Sequence, residues 1–268
     1  MPEPLLEIED LSVTAGDRTL VHAVDATVAR GGSLGIVGES GSGKSLTCRS
    51  VLGILPPGLA TGPRTAIRFD GIDLTALAPR DWPSIRGDRI GAVFQDPGSY
   101  LTPSMTVGRQ LGEVLRVRGG LGRREARDRA VDLFAATGLP EPARVYGQYP
   151  FELSGGMLQR ALIAIAICRE PDLLIADEAT TALDVTVQAE VLDLLADLRE
   201  RHGLALVLVS HDLAVVAQVC DEVIVMRDGE VLERGTAAEV LRAPRHAYTR
   251  SLVEAHARYG IERFRSHA

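Results

Sequence analysis

The chain has 268 residues, 46% of them hydrophobic and 24% charged, which allows one large domain or two small ones around a substantial core. Its net charge of −7 argues against broad affinity for nucleic acid, which depends on a basic surface that neutralises phosphates. The longest uninterrupted apolar run, Ala161 to Cys168, is far shorter than the ~20 residues of a membrane span, and Met1-Pro2-Glu3-Pro4 has neither a basic leader nor an apolar signal core. The chain is therefore expected to reach a membrane only through a partner.

Cys48, Cys168 and Cys220 stand far apart without a CxxC pair, so they read as small buried side chains rather than metal ligands or disulfides. Of 29 Lys plus Arg, the single lysine is Lys44. A lone Lys among arginines suggests a place where a compact ammonium fits and a planar guanidinium does not.

At the N-terminal end, Leu5 to Ile8, Leu11 to Val13 and Val24 to Val28 read as short strands around Gly16-Asp17, more like an antiparallel sheet. Leu34-Gly35-Ile36-Val37 is a short buried strand running into Gly38-Glu39-Ser40-Gly41-Ser42-Gly43-Lys44-Ser45, and Ser45 to Leu52 predicts a helix. That segment matches G-x-x-x-x-G-K-S in the required strand–turn–helix setting. Its glycines let successive backbone N–H groups turn inward around phosphate oxygens, and the helix N-terminus adds its dipole. Lys44 is placed to reach β- and γ-phosphates, and the Ser45 hydroxyl to ligate Mg²⁺. The bland alternative, a glycine-rich turn holding nothing, is disfavoured by that context.

Residues 97–150 are helical in pattern, rich in Arg and Gly, with turns at Gly119-Gly120 and Gly138, and read as an insertion. Arg123 to Arg129 has acids interleaved and reads as a solvated helix face rather than a nucleic-acid or lipid patch. Leu153-Ser154-Gly155-Gly156-Met157 opens an apolar helix. Ser154 suits an N-cap, and the two glycines behind it leave first-turn N–H groups open, giving a second anion site on another element. Two phosphate-binding helix ends with one glycine-rich loop suggest a sandwich in which another subunit completes each site.

Leu173 to Ala176 is an apolar strand ending in Asp177-Glu178. Asp177 can join the Mg²⁺ shell, and Glu178 can polarise an attacking water as general base, which favours hydrolysis over transfer to another acceptor. Val185 to Arg201 carries Val187, Val191, Leu194, Leu195 and Leu198 at helical spacing. Leu204 to Val209 and Val223 to Met226 are further apolar strands, the last closed by Arg227-Asp228-Gly229. The alternation implies a mostly parallel sheet with helices on both sides.

With Gly38 to Ser45 as Walker A, Leu153 to Met157 as signature and Leu173 to Glu178 as Walker B, the sequence resembles the ATPases of ABC transporters over nearly its whole length. The resemblance implies an α/β P-loop NTPase (RecA-like) core with an N-terminal antiparallel β subdomain and an inserted α-helical subdomain. The whole would form one ATP-binding domain: residues 1–96 and 160–240 as core, 97–159 as helical subdomain with the signature, and 241–268 as tail. It also implies roles that spacing alone does not give. Gln95 resembles the Q-loop glutamine that contacts Mg²⁺ and the attacking water. Asp184, in Ala182-Leu183-Asp184, resembles the D-loop, and His211 resembles the switch histidine at the γ-phosphate. Ser154, Gly155 and Gly156 would then act on the ATP of a partner, and Ser45, Gln95 and Asp177 would form the Mg²⁺ set.

Within the family, Gly38 to Ser45, Phe94-Gln95-Asp96-Pro97, Ala182 to Ala189 and the tail string His246-Ala247-Tyr248-Thr249-Arg250-Ser251-Leu252 resemble importers of peptides, nickel and opines. Such a likeness implies ATP and Mg²⁺, a second ATP-binding subunit of different sequence, two membrane permeases and an extracytoplasmic solute-binding protein. The chain would sit peripherally on the cytoplasmic face of the membrane and power import of peptides, nickel or metal–chelator complexes. The alternative is a soluble ABC ATPase acting on ribosomes or DNA, which usually carries two ATPase modules or a long coiled-coil insert. Three departures stand out. Ala15 lies where an aromatic residue normally stacks on adenine, Ala179 follows the Walker B glutamate in place of proline, and Ala247 replaces the tail proline. Longer relatives end in a cysteine-rich segment, whereas this sequence stops at Ala268 without such spacing, so no iron–sulfur cluster is expected.

Overall fold

A computed structural model describes residues 4–179 and 183–255. Expectations resting on Met1 to Glu3, on Ala182 of the D-loop string and on the tail beyond residue 255 lie outside the described residues. In chain order the elements are β1 (Pro4–Ala15), β2 (Arg18–Ala29), β3 (Ser33–Val37), α1 (Lys44–Val51), β4 (Leu59–Thr61), β5 (Ala66–Phe69), β6 (Ile72–Asp73) and β7 (Ile90–Val93). There follow α2 (Val107–Val117), α3 (Arg123–Ala136), α4 (Pro142–Val145), α5 (Gly155–Ile167), β8 (Leu173–Asp177), α6 (Val185–His202), β9 (Ala205–Ser210), α7 (Leu213–Val219), β10 (Glu222–Arg227), β11 (Glu230–Thr236) and α8 (Ala237–Arg242). Two compact units result, one formed by Met1–Pro79 with Ala205–Ala268 and the other by Arg80–Leu204.

The first unit holds two sheets. In the antiparallel sheet, ordered β2-β1-β5-β6 with β4 also on β1, the three short N-terminal strands expected from sequence are two long ones. The polar pair Glu9-Asp10, which looks like a break, is a bulge. The register shifts between Ile8 and Leu11, Asp10 takes a positive φ of 48°, and its amide donates to the Asp25 carboxylate at 2.8 Å. The extra residue keeps Ile8, Leu11 and Val13 all in the core despite their uneven spacing.

In the second sheet β10, β3 and β9 run parallel and β11 lies antiparallel to β10. Every residue of β3 and β9 is buried, as their continuous apolar runs require of strands covered on both faces. The start of β3 is fixed by Asp221, whose carboxylate accepts from the Ser33 amide at 3.1 Å and the Ser33 hydroxyl at 2.8 Å. Cys48 and Cys220 are buried.

The second unit pairs β7 with β8 in parallel and carries α2 to α6. On α3, Ala126, Ala130, Leu133 and Phe134 are buried while the arginines from Arg123 to Arg129 face solvent, the amphipathic division that its charge pattern predicts. α6 buries Val191, Leu192, Leu195 and Leu198; Leu192 takes the inward place that the spacing gave to Leu194. Asp184 caps its start and Gly203, with left-handed backbone, its end. Asp88 bridges Arg118 and Arg169, and Arg89 pairs with Asp172 at 2.7 Å. Cys168 is buried too, and burial pushes its thiol up to about 11.

Candidate nucleotide site

The glycine-rich loop grows directly out of β3. A Cβ on Gly38 would lie 2.1 Å from the Met226 carbonyl oxygen, so only glycine lets the chain leave the sheet beside the β10–β11 turn. From that turn the Gly229 amide donates to the Ser42 carbonyl at 3.2 Å. Gly43 has φ +99°, a conformation that L side chains rarely adopt, and α1 begins at the next residue.

Lys44 is only 3% exposed, and its Nζ donates to the carbonyls of Gly38 and Glu39, each at 2.8 Å. The cradle thus bends around the ammonium, with the first turn of α1 behind it. Ser42 Oγ is buried and has no hydrogen-bond partner among the described residues, a deficit of about 1–3 kcal/mol unless another group meets it. A phosphate oxygen in the cradle would accept that hydroxyl, so the loop fits an anionic phosphate.

His211 follows β9 and is exposed. Its neighbours are fixed: Ser210 is buried, the Asp212 amide donates to Ser210 Oγ at 3.0 Å, and the Asp212 carboxylate caps α7 through the Ala214 amide at 2.9 Å. Ala15 ends β1 opposite Arg18 and Leu59 and offers no ring for a base to stack on.

The other sequence-marked residues lie in the second unit. Gln95 is exposed just beyond β7, followed by Asp96 with φ 63°, and Phe94 stacks on Tyr100 at 5.4 Å between ring centroids. Asp177 closes β8 and is 3% exposed. Glu178 is half-buried with φ 50°, a left-handed backbone that costs roughly 1–3 kcal/mol in a non-glycine residue. Ser154 is the N-cap of α5, its Oγ accepting from the Met157 amide at 3.3 Å. The N–H groups of Gly155 and Gly156, in the first turn, have no acceptor within the helix. The Asp184 side chain accepts from the Val187 amide at 3.0 Å, a capping bond that the D-loop likeness did not foresee. The hydroxyl, amide oxygen and carboxylate of Ser45, Gln95 and Asp177 are hard oxygen donors of the kind that suit Mg²⁺.

A family model described as ABC transporter matches residues 21–181, a span holding the loop, the Ser154 helix start and both carboxylates. The chain belongs to the ABC transporter family. Over 253 residues it is 42% identical to the oligopeptide transport ATP-binding protein OppD of Bacillus subtilis, covering 93% of this chain and 71% of that protein. With the dipeptide transport ATP-binding protein DppD of Escherichia coli it shares 43% identity over 94% of its own length and 78% of the relative's. The peptidoglycan transport ATP-binding protein YejF of Agrobacterium fabrum is 44% identical, but this chain spans only 47% of its length.

Among solved structures, the dimeric post-hydrolysis state of the ATP-binding cassette MJ0796 bound to ADP and Pi superposes with a TM-score of 0.75 and 28% identity, covering 87% of this chain and 98% of that one. The cbiO1 cassette of Clostridium perfringens gives a TM-score of 0.77 at 28% identity, covering 91% and 97%. This ABC chain is an ATPase cassette with the α/β P-loop fold read from its sequence. No helix among its described residues is long and apolar enough to cross a membrane.

One contact at the loop escaped the sequence reading. The Glu39 amide donates to the hydroxyl of Tyr248 at 3.1 Å, across 209 residues of sequence. Tyr248 stands in the tail string noted for its family likeness, but no spacing pattern joins it to the loop.

Proposed function

We propose that this cassette powers a peptide importer, hydrolysing ATP as one of a pair of ATPase subunits beneath membrane permeases. The observation that carries the reading is its 42–44% identity, over 93–94% of the chain, to proteins named for oligopeptide, dipeptide and peptidoglycan transport. Those names favour peptide-like cargo over the nickel or metal–chelator cargo that the motifs alone left open. An extracytoplasmic binding protein would deliver the substrate, and the cassette would work at the cytoplasmic face.

In this reading the triphosphate of ATP enters the cradle of Gly38 to Ser45. Lys44 Nζ turns from loop carbonyls toward β- and γ-phosphate oxygens, the Ser42 hydroxyl gains an acceptor, and backbone N–H groups of the loop other than those of Glu39 and Ser42 face the phosphates. Ser45, Gln95 and Asp177 would hold Mg²⁺, which when bound neutralises charge on the transferring phosphoryl group. Ser154, Gly155 and Gly156 of the second ATPase subunit close on the γ-phosphate with their open N–H groups. Glu178 takes a proton from water as its oxygen bonds to γ-phosphorus and the bond to the β–γ bridging oxygen breaks, with His211 donating to the γ-phosphate and Asp184 lying at the partner interface. Permease docking near Gln95 to Val107 would couple the closing motion to transport.

Affinity purification of the tagged chain from membranes tests the assembly. Recovery of a polytopic permease and a second ATPase subunit, with peptide-stimulated phosphate release after reconstitution, is expected. Recovery of ribosomes or DNA without a membrane protein would overturn the reading in favour of a soluble ABC ATPase.

A further inference from the structure

The tail string has no part in the chemistry above, yet it is tied into the same unit at three points. Glu233 on β11 is buried, and its carboxylate accepts the amides of Arg245 at 2.7 Å and His246 at 3.0 Å. His246 Nδ1 then accepts the Tyr248 amide at 3.1 Å, which fixes the start of the helical segment 247–255. The Tyr248 side chain is 5% exposed, its ring lies beneath the Arg227 guanidinium at 4.9 Å, and its hydroxyl oxygen accepts the Glu39 amide.

The residue it grips matters most. The Glu39 carbonyl accepts both Lys44 Nζ at 2.8 Å and the Ser42 amide at 3.2 Å, while Glu39, Ser40 and Gly41 themselves are exposed at the tip of the loop. Rotation of Glu39 would therefore break one of the ammonium's carbonyl bonds and open the turn together. Tyr248 holds the amide end of that residue, while the loop itself holds the carbonyl end.

We propose that Tyr248 is a positioning residue for ATP binding, and that residues 245–248, anchored by Glu233, form a strut that presets the phosphate loop. The proposal rests on reading Gly38 to Ser45 as the ATP phosphate loop. A loop that must be ordered by the incoming nucleotide binds it more weakly, because the ordering cost is subtracted from the contacts made. Tyr248 touches no reacting atom, so affinity changes and turnover at saturation does not.

The test compares the full chain with its Lys44→Ala, Tyr248→Phe and Glu233→Ala variants and the Tyr248→Phe/Glu233→Ala double variant. ATP affinity is measured by competition with a fluorescent ATP analogue, and KM and kcat in the assembled transporter. Phenylalanine keeps the ring under Arg227 and removes only the hydroxyl, so folding is preserved. One net hydrogen bond corresponds to about a three- to tenfold rise in Kd and KM for Tyr248→Phe, with kcat within about twofold. Glu233→Ala should shift affinity in the same direction, and the double variant should be no weaker than the weaker single one, because both remove one strut. Wild-type affinity in Tyr248→Phe, with binding abolished by Lys44→Ala, overturns the strut and leaves the phosphate-loop reading standing. Independent, additive effects of the two substitutions overturn the claim that Glu233 acts through Tyr248. Absence of ATP binding by the wild-type chain sinks the underlying reading itself.

Discussion

Lys44 lies among carbonyl oxygens at the foot of the loop, and arginine cannot take its place. A guanidinium is planar and too wide for a turn whose Gly38 and Glu39 carbonyls both point at a single nitrogen. Lys44→Ala and Lys44→Arg should both lose ATP binding in a fluorescence titration, the arginine variant despite its retained charge. Glu178→Gln should bind ATP normally but lower the rate of phosphate release by about 10²–10³, the usual effect of removing one well-placed catalytic group; wild-type turnover in that variant would exclude Glu178 as the base. At this scale the sequence spoke clearly where a residue type is chemically forced: the lone lysine, the glycines around it and the paired carboxylates. Gln95 and His211 are exposed loop residues, and only family likeness pointed to them. Tyr248 had no local signal, because its partner is a backbone amide far away in the chain.

Among the elements, strands buried on both faces were legible from apolar runs alone, α6 from its periodicity and the solvent face of α3 from its interleaved charges. The N-terminal strands were not, because a bulge breaks the alternation that marks a strand without ending the strand itself. The core helix face makes a plain stability prediction: Phe134 is fully buried, and Phe134→Ala should cost about 3–5 kcal/mol in denaturant unfolding. The β11 anchor makes a pH prediction. Burial raises the Glu233 pKa, but the amide bonds from Arg245 and His246 outweigh it, so the carboxyl sits below its usual value. A lowered folded-state pKa contributes stability that is present above the unfolded value and lost as pH falls through the folded one. Thermal melts should therefore show the wild type losing stability below about pH 4.5 more steeply than Glu233→Gln, which has no carboxylate to titrate. Parallel slopes would show that the anchor adds nothing.

For the molecule as a whole, the order of motifs carried the family and the fold, since strand, loop and helix must follow one another to make a phosphate cradle. Hydrogen bonds that draw residues 245–248 to the loop could not be read, because a bond between distant segments leaves no periodic trace. The signature helix start belongs to a site that one chain does not complete in the proposed reading. A Cβ on Gly156 would lie 2.5 Å from Val187 Cγ1, so Gly156→Asp adds both a clash and a negative charge where an anion is to be met. Mixed transporters carrying that substitution in one subunit should keep ATP binding at the loop while phosphate release falls, which filter binding and a coupled phosphate assay would resolve.

Having a single lysine, and that one shielded, has a practical corollary. Reagents that acylate or reductively methylate ε-amines meet one side-chain target in the entire polypeptide. The remaining positive charge is carried by arginine, which such reagents pass over. Apart from the α-amine at the chain's N-terminus, mass spectrometry of a labelled sample would then yield one adduct site, whose rate of appearance registers nucleotide occupancy with no engineered probe.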